Sequence, residues 1–157
     1  MVVKRIARLL LGGKALGLIV FVAIVAIGAG GCLSASNEGS VRWTSDSKKA
    51  LAEAQAQHKP IMIFIYTDLC PACRQLERTT YSDEELSSFL NANFINLRSD
   101  AGRTALHTAY GIWAVPTIVF SAPDGYEAKY EIARIVGYKN AEDYYRLALD
   151  ALERWQP

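Results

Sequence analysis

The sequence predicts an α/β fold in which short strands alternate with helices around a mixed sheet. The first observation is a six-residue apolar run at 61–66, which is rich in β-branched and aromatic residues and too short for a free-standing helix. The second is a similar run at 118–120, far along the chain. The third is that residue types typical of helix N-caps precede segments that lie before and after these runs, which predicts helices there. This order predicts helices on both faces of the sheet.

The helices are predicted from their caps and the strands from their alternation. Ser45 would cap a helix through about Gln57, before the strand at 61–66. The order Ser-Asp-Glu-Glu at 82–85 is a capping-box pattern for a helix to about Asn91, and Asn140 would cap the last helix. The remaining elements are predicted as a strand at 94–97, a polar helix ending near Tyr110, a turn at 122–125 and a strand at 130–136.

Two cysteines follow the first strand directly, in the order Cys70-Pro71-Ala72-Cys73. Two thiols at this spacing can close a disulfide and reopen it. The residues that follow favour helix, so Cys70 falls at a helix N-terminus, where unpaired N–H groups and the helix dipole favour a thiolate. A thiolate is the form that attacks disulfides, and the motif therefore predicts redox chemistry.

Two structural interpretations of the cysteine pair stay open at this point. Half of a zinc site would need a second ligand pair, but the only other cysteine, Cys32, lies in a separate apolar segment. A purely structural disulfide would close so short a loop that it would add little stability. His58 and His107 have no metal-ligand spacing to each other and are interpreted as surface residues. We therefore predict neither a metal site nor a cofactor.

A second motif, Val115-Pro116-Thr117, precedes the run at 118–120, and with the cysteine pair it resembles the thioredoxin-fold family. In that family a cis proline before the central strand faces the cysteine pair. The resemblance implies that Val115, Pro116 and Thr117 bind the substrate chain. Within the superfamily, residues 45–155 most resemble the C-terminal thioredoxin-like domain of DsbD-type thiol:disulfide interchange proteins. The further matches are Lys59-Pro60, Tyr66-Thr67-Asp68-Leu69, Glu77, Tyr81-Ser82-Asp83, Asp124-Gly125 and Val136-Gly137-Tyr138.

The sequence departs from thioredoxins where a buried aspartate usually handles protons. Phe64 stands there, six residues before the first cysteine. Proton transfer would then fall to Glu77, to Asp68 or to water. Glu77 follows the second cysteine by four residues, about one helical turn, so we expect its carboxylate to reach the pair. The alternative is a surface carboxylate paired with Arg74 or Arg78.

The first 33 residues are predicted to be a signal or membrane-anchor segment. Four basic residues precede an uncharged, largely apolar stretch at 15–33, so we expect the N-terminus to stay cytoplasmic and the rest to be exported. Ala29-Gly30-Gly31-Cys32 resembles the lipobox of bacterial lipoproteins, which implies lipidation of Cys32. Two alternatives stay open, because nineteen uncharged residues just reach the length of a bilayer span: an uncleaved helix, or a cleaved, soluble product.

The remainder is predicted as a flexible linker at 34–44 and a thioredoxin-like domain at 45–157. All 16 acidic residues follow position 31, whereas four of the 17 basic ones precede it, so the part predicted to be exported has a formal charge of −3. No basic patch suggests nucleic acid.

The predicted function is a membrane-tethered, extracytoplasmic (periplasmic) thiol:disulfide oxidoreductase that reduces protein disulfides. Cys70 would attack the substrate and Cys73 would resolve the mixed disulfide, with Glu77 assisting. The resemblance implies a membrane electron-donor protein as a partner. The alternatives are a disulfide-forming oxidase of the same fold and a copper- or haem-maturation binding module.

Overall fold

A computed structural model of the protein describes residues 40–155. Its four strands form one mixed sheet in the order β2-β1-β3-β4, in which β1 runs parallel to β2 and antiparallel to β3. The strands are β1 Ile61–Tyr66, β2 Ile95–Asp100, β3 Thr117–Ser121 and β4 Glu131–Val136. The α-helices are α1 Ser47–Gln57, α2 Pro71–Gln75, α3 Glu84–Asn93, α4 Leu106–Ala109 and α5 Ala141–Arg154, and α2 continues as a π-helical turn, Leu76–Thr80.

Side chains of β1 alternate between two apolar cores, one on each face of the sheet. Met62 and Phe64 point into the first core, which α2, α3 and α5 cover. Ile61, Ile63 and Ile65 point into the second, which α1 covers. All five side chains are fully buried, as expected of a central strand with both faces covered. The predicted mixed sheet with helices on both faces is confirmed.

The register of the central strands brings two loops to one end of the sheet. Ile65 of β1 lies opposite Thr117 of β3, and Thr117 in turn lies opposite Val136 of β4. The C-terminal end of β1 therefore adjoins the N-terminal end of β3. The cysteine motif follows β1 after a three-residue loop and the proline motif opens β3, so the topology places both motifs at the same end of the sheet.

Helix caps and strand ends differ from the predictions by a few residues. The cap of α1 is Asp46, whose carboxylate accepts hydrogen bonds from the N–H groups of Lys48 and Lys49, so Ser45 is not the cap. Asp83 caps α3. Asn140 caps α5 as predicted, because its Oδ1 accepts the Asp143 N–H at 2.8 Å. Strand β2 extends beyond the predicted 94–97, and the predicted polar helix is reduced to the four residues of α4.

The end of the predicted linker, residues 40–44, is part of the folded domain. Val41 is buried in the first core, where Trp43 packs beside it with its ring centroid 5.0 Å from that of Tyr81. Thr44 forms a parallel bridge with Leu97 at the free edge of β2. The linker prediction is therefore wrong for these residues, because two apolar side chains find places in the core.

Asn91 at the end of α3 holds the same segment from the other side. Its Oδ1 accepts the backbone N–H of Arg42 at 2.8 Å, and its Nδ2 donates to the carbonyl of Ser40 at 3.0 Å. The folded domain therefore begins at about Val41. The rest of the predicted linker and the segment 1–33 lie outside the described residues. Within 40–155, no helix is both long enough and apolar enough to span a bilayer.

Candidate redox site

Cys70 and Cys73 form a disulfide at the N-terminus of α2, with their Cα atoms 5.3 Å apart. Cys70 is the N-cap residue, and its Sγ accepts a hydrogen bond from the backbone N–H of Cys73 at 3.1 Å. Pro71 occupies the first helical position, where the missing N–H costs nothing. Cys70 is 8% exposed and Cys73 only 1%, so Cys70 is the more accessible of the two residues.

The loop between β1 and the disulfide is fixed by hydrogen bonds to its backbone carbonyl groups. The N–H of Cys70 donates to the carbonyl of Thr67 at 3.1 Å. From the helix side, Nη1 of Arg74 donates to the carbonyl of Asp68 at 2.8 Å. Leu69 lies between these bonds, yet its side chain is 88% exposed. The loop thus holds Cys70 at the helix terminus and presents Leu69 to the surroundings.

The peptide bond between Val115 and Pro116 is cis, as the family resemblance implies. Two hydrogen bonds hold this loop: the Gly137 N–H donates to the carbonyl of Pro116 at 2.8 Å, and Thr117 Oγ1 donates to the carbonyl of Ala114 at 2.8 Å. Val115 packs against the core cluster that contains both cysteines. No residue of 40–155 hydrogen-bonds to the backbone N–H or carbonyl of Val115, so neither group has a hydrogen-bond partner within the described domain.

Aromatic rings surround the position where thioredoxins carry the buried aspartate. Phe64 stacks on Tyr66 with centroids 5.4 Å apart and meets the edge of Tyr81 at the same distance. The hydroxyl groups of Tyr81 and Tyr144 are hydrogen-bonded at 3.0 Å. Burial raises the pKa of both tyrosines, so both stay protonated at neutral pH. Neither Phe64 nor this tyrosine pair offers a base to the cysteines.

Comparison with known proteins decides the family. A family model for the thioredoxin-like domain matches residues 47–152. The chain belongs to the thioredoxin-like domain family. It is 36% identical over 98 residues to the thiol:disulfide interchange protein DsbD of Yersinia enterocolitica, an alignment that covers 59% of this chain and 16% of that protein. The chain therefore spans less than a fifth of the length of this curated relative.

Solved structures support the same assignment of fold. A thioredoxin from Thermus thermophilus superimposes with a TM-score of 0.60 and 28% identity, covering 73% of this chain and 86% of the other. The oxidised C-terminal domain of Neisseria meningitidis DsbD superimposes with a TM-score of 0.57 and 20% identity, covering 70% and 99%. The fold predicted from the cysteine and proline motifs is thus confirmed.

In this thioredoxin-like domain, Glu77 pairs with a residue that the sequence analysis did not single out. Its Oε1 lies 3.0 Å from Nη2 of Arg98, and about a third of each side chain is exposed. Neither Arg74 nor Arg78, which the sequence offered as alternative partners, forms this ion pair with Glu77. The guanidinium of Arg98 also lies over the ring of Tyr66, 4.5 Å from its centroid. The structure thus places Glu77 in an ion pair on the flank of the first core.

Arg98 could have been found from the register of β2. It lies beside Phe64 in the parallel pairing of β1 with β2, and so belongs to the same face of the sheet as Phe64. The predicted strand ended at 97, one residue before it. A predicted strand that included Arg98 would have placed its guanidinium beside the helix that carries the cysteines.

The remaining candidate residues lie elsewhere. His58 ends α1 in a left-handed conformation, and His107 Nδ1 lies 3.0 Å from the carbonyl oxygen of Thr104, within its own turn. No group of three or more His, Cys, Asp or Glu side chains in the described part of the chain could hold a metal ion. Cys32, the predicted lipidation site, lies outside the described residues.

Proposed function

We propose that this protein is a membrane-tethered, extracytoplasmic thiol:disulfide oxidoreductase that reduces disulfides in protein substrates. The observation that carries the proposal is the Cys70–Cys73 disulfide at the N-terminus of α2, in which Cys70 is the more exposed of the two residues. The cis-proline loop lies at the same end of the sheet, where the free backbone of Val115 suits an extended substrate. The likeness to a thiol:disulfide interchange protein supports the same chemistry.

In the reduced protein, the thiolate of Cys70 attacks one sulfur of the substrate disulfide. A bond forms between Cys70 Sγ and that sulfur, and the other substrate sulfur leaves as a thiolate that takes up a proton. Cys73 then loses its proton and attacks Cys70 Sγ, which releases the second substrate sulfur as a thiol. Two electrons pass to the substrate and the Cys70–Cys73 disulfide closes.

The helix terminus supports the assignment of Cys70 as the nucleophile. The N–H of Cys73 already points at Cys70 Sγ, and such a donor together with the helix dipole favours a thiolate there. Cys73, at 1% exposure, is accessible to Cys70 but not to a large substrate. A resolving thiol acts only within the mixed disulfide. Cys73 can fill that role without being accessible to the substrate.

The order of attack is tested with single cysteine variants. Cys73→Ser should accumulate mixed disulfides with substrate proteins, because the resolving thiol is missing, whereas Cys70→Ser should not. In the reduced wild-type protein at pH 6, iodoacetamide should label Cys70 faster than Cys73. Peptide mass spectrometry identifies the labelled cysteine, and faster labelling of Cys73 would reverse the assignment.

The direction of electron flow is tested by the reduction potential of the full chain. We expect a value nearer to about −270 mV, as in thioredoxin, than to about −120 mV, as in a strong periplasmic oxidase. The potential follows from equilibration with dithiothreitol buffers and gel-shift detection of free thiols. A value near the oxidase end would replace the reductase proposal by its alternative, a disulfide-forming oxidase.

A reductase must itself be reduced after each cycle. We infer that a membrane protein supplies the electrons, as the resemblance to DsbD-type proteins implies, and that the N-terminal segment keeps the domain at the same membrane. The basic residues before the apolar stretch at 15–33 support this location. Either lipidation of Cys32 or an uncleaved helix would provide the anchor.

A further inference from the structure

Three residues, Gly137, Tyr138 and Lys139, join the end of β4 to Asn140, the cap of α5. We call these three residues the bridging loop. Each of them is hydrogen-bonded to a part of the chain that is distant in sequence. The partners lie in the proline motif and in the π-helical turn that continues α2. The bridging loop therefore contacts both elements that form the candidate redox site.

On the cysteine side, the main contact of the bridging loop is made by Thr80. This residue is fully buried, and its Oγ1 donates to the carbonyl of Lys139 at 2.7 Å. Thr79 adds a second contact nearer the surface. Because its Oγ1 already donates to the carbonyl of Gln75, the hydroxyl of Tyr138 is the donor in the 3.2 Å bond between Thr79 and Tyr138. Two hydrogen bonds thus tie the bridging loop to the helical run that carries the cysteines.

The π-helical turn determines the direction in which Thr80 points. At this turn the N–H of Tyr81 donates to the carbonyl of Leu76, five residues back instead of four, at 3.0 Å. The wider turn changes the direction of the side chains at its end relative to those of a regular α-helix. Single π-helical turns within α-helices occur frequently at functional sites. Here the turn directs a buried hydroxyl to the bridging loop.

On the proline side, the N–H of Gly137 donates to the carbonyl of Pro116 at 2.8 Å. Gly137 has a φ of +77°, a left-handed conformation that a glycine adopts without strain. In the described part of the chain, no hydrogen bond joins the helical run 71–80 directly to residues 114–117. The bridging loop therefore supplies a hydrogen-bonded connection that the two motifs do not make with each other.

We propose that the bridging loop positions the proline motif relative to Cys70, with Thr80 as the positioning residue. A substrate segment that contacts both motifs must present its disulfide to Cys70 in the direction of attack, and a small displacement of either motif slows that attack. A disulfide too small to reach the proline motif needs only Cys70. Thr80 is fully buried, so it acts through the bridging loop and does not touch the substrate. This inference rests on the proposed function, because it concerns how the same reaction is positioned.

The test compares two mixed disulfides as substrates of the full-length reduced protein. One joins thionitrobenzoate to the cysteine of an extended peptide, and the other joins it to N-acetylcysteine amide, which has no neighbouring residues. The Cys70 thiolate attacks the cysteine sulfur of either substrate, and the thionitrobenzoate thiolate, which has the lower pKa, leaves. Both substrates therefore share one leaving group and one absorbance readout. We expect the wild type to react faster with the peptide.

Thr80→Val removes the hydroxyl group and keeps the branched shape of the side chain. It should lower the second-order rate constant for the peptide by about tenfold, because the proline motif is no longer held in place. The rate constant for N-acetylcysteine amide and the pKa of the Cys70 thiol should not change. Thr80→Ser keeps the donor and should keep the wild-type rates. Tyr138→Phe removes only the outer bond and should cause a smaller loss on the peptide alone, so it provides the test if Thr80→Val does not fold.

The matched control is Ser87→Ala on α3, which removes a buried hydroxyl that donates to the carbonyl of Glu84 at 3.2 Å. It should lower the thermal stability without changing either rate constant. An equal loss on both substrates in the variants of Thr80 and Tyr138, or no loss on the peptide, would overturn the positioning role. Equal wild-type rate constants for the two substrates would overturn it as well. A wild-type protein that reduces neither substrate would instead refute the proposed function.

Discussion

At the scale of single residues, the negative charge of Glu77 is paired with the positive charge of Arg98. The two side chains form an ion pair of 3.0 Å, and Glu77 follows Cys73 by four residues along the helical run 71–80. A carboxylate near Cys70 would disfavour its thiolate, whereas a guanidinium would favour it. Because the two charges lie together, we expect each to cancel much of the effect of the other on the thiol.

Removing one partner at a time should therefore shift the pKa of the Cys70 thiol in opposite directions. Glu77→Gln leaves Arg98 uncompensated, which should lower the thiol pKa and make the protein more oxidising. Arg98→Met keeps an apolar stem over Tyr66 and leaves Glu77 uncompensated, which should raise the thiol pKa. Each shift should amount to a few tenths of a unit up to about one unit. The pH dependence of iodoacetamide alkylation of the reduced protein measures both.

Two further variants complete this comparison. The double variant should return the thiol pKa close to that of the wild type, because both charges are gone. Arg78→Met removes an exposed cation from the same helical run that forms no ion pair within residues 40–155, and should have a smaller effect. Shifts of the same sign in both single variants would indicate a structural disturbance. An unchanged pKa in Glu77→Gln would leave Glu77 as a surface ion-pair residue.

At the scale of secondary-structure elements, the sequence predicted a strand correctly where its hydrophobic pattern matches the burial of its side chains. Strand β1 was predicted to the residue because an uninterrupted apolar run marks a strand buried on both faces. Strand β2 was predicted too short, because it ends in Arg98, Ser99 and Asp100, which no strand pattern favours. Its pairing with β1 continues to Asp100, and that tertiary contact is absent from the local sequence. Because the predicted strand ended before Arg98, the ion-pair partner of Glu77 was not predicted either.

The helix that carries the cysteines also departs from a regular pattern. Pairing of Glu77 with Arg74 assumes the spacing of an α-helix, but the helix widens to a π-helical turn at Leu76. Within that turn, Thr80 Oγ1 donates to the carbonyl of Lys139 at 2.7 Å, which ties it to the loop before α5. A contact between residues so far apart in sequence has no local signal.

The segment at 40–44 shows the same limit. Val41 and Trp43 are two apolar residues in a small, polar stretch, which is too little to predict an element. Their places depend on Asn91 and on the free edge of β2, both about 50 residues away in sequence. Only the folded sheet reveals that this edge is covered by the chain itself.

At the scale of the whole molecule, the topology gathers the chemistry at one end of the sheet. The end of β1 supplies the cysteines, the start of β3 supplies the cis proline, and the end of β4 adds Val136 beside them. The sequence identified the first two from their motifs, because each motif has a fixed relation to its strand. The exposure of Leu69 and Trp113 followed only from the structure, since apolar residues beside strands are usually buried.

The location of the whole molecule is tested through its N-terminal segment. Basic residues followed by an apolar stretch should keep the N-terminus cytoplasmic and place the domain outside, so a reporter that works only after export should be active when fused after Pro157. If Cys32 is the anchor, labelling with palmitate should be lost in Cys32→Ala and kept in the matched control Cys70→Ala. A membrane-bound but unlabelled protein would identify an uncleaved helix as the anchor. A fully soluble product would contradict the tether, and a fusion active only with a cytoplasmic reporter would contradict the topology.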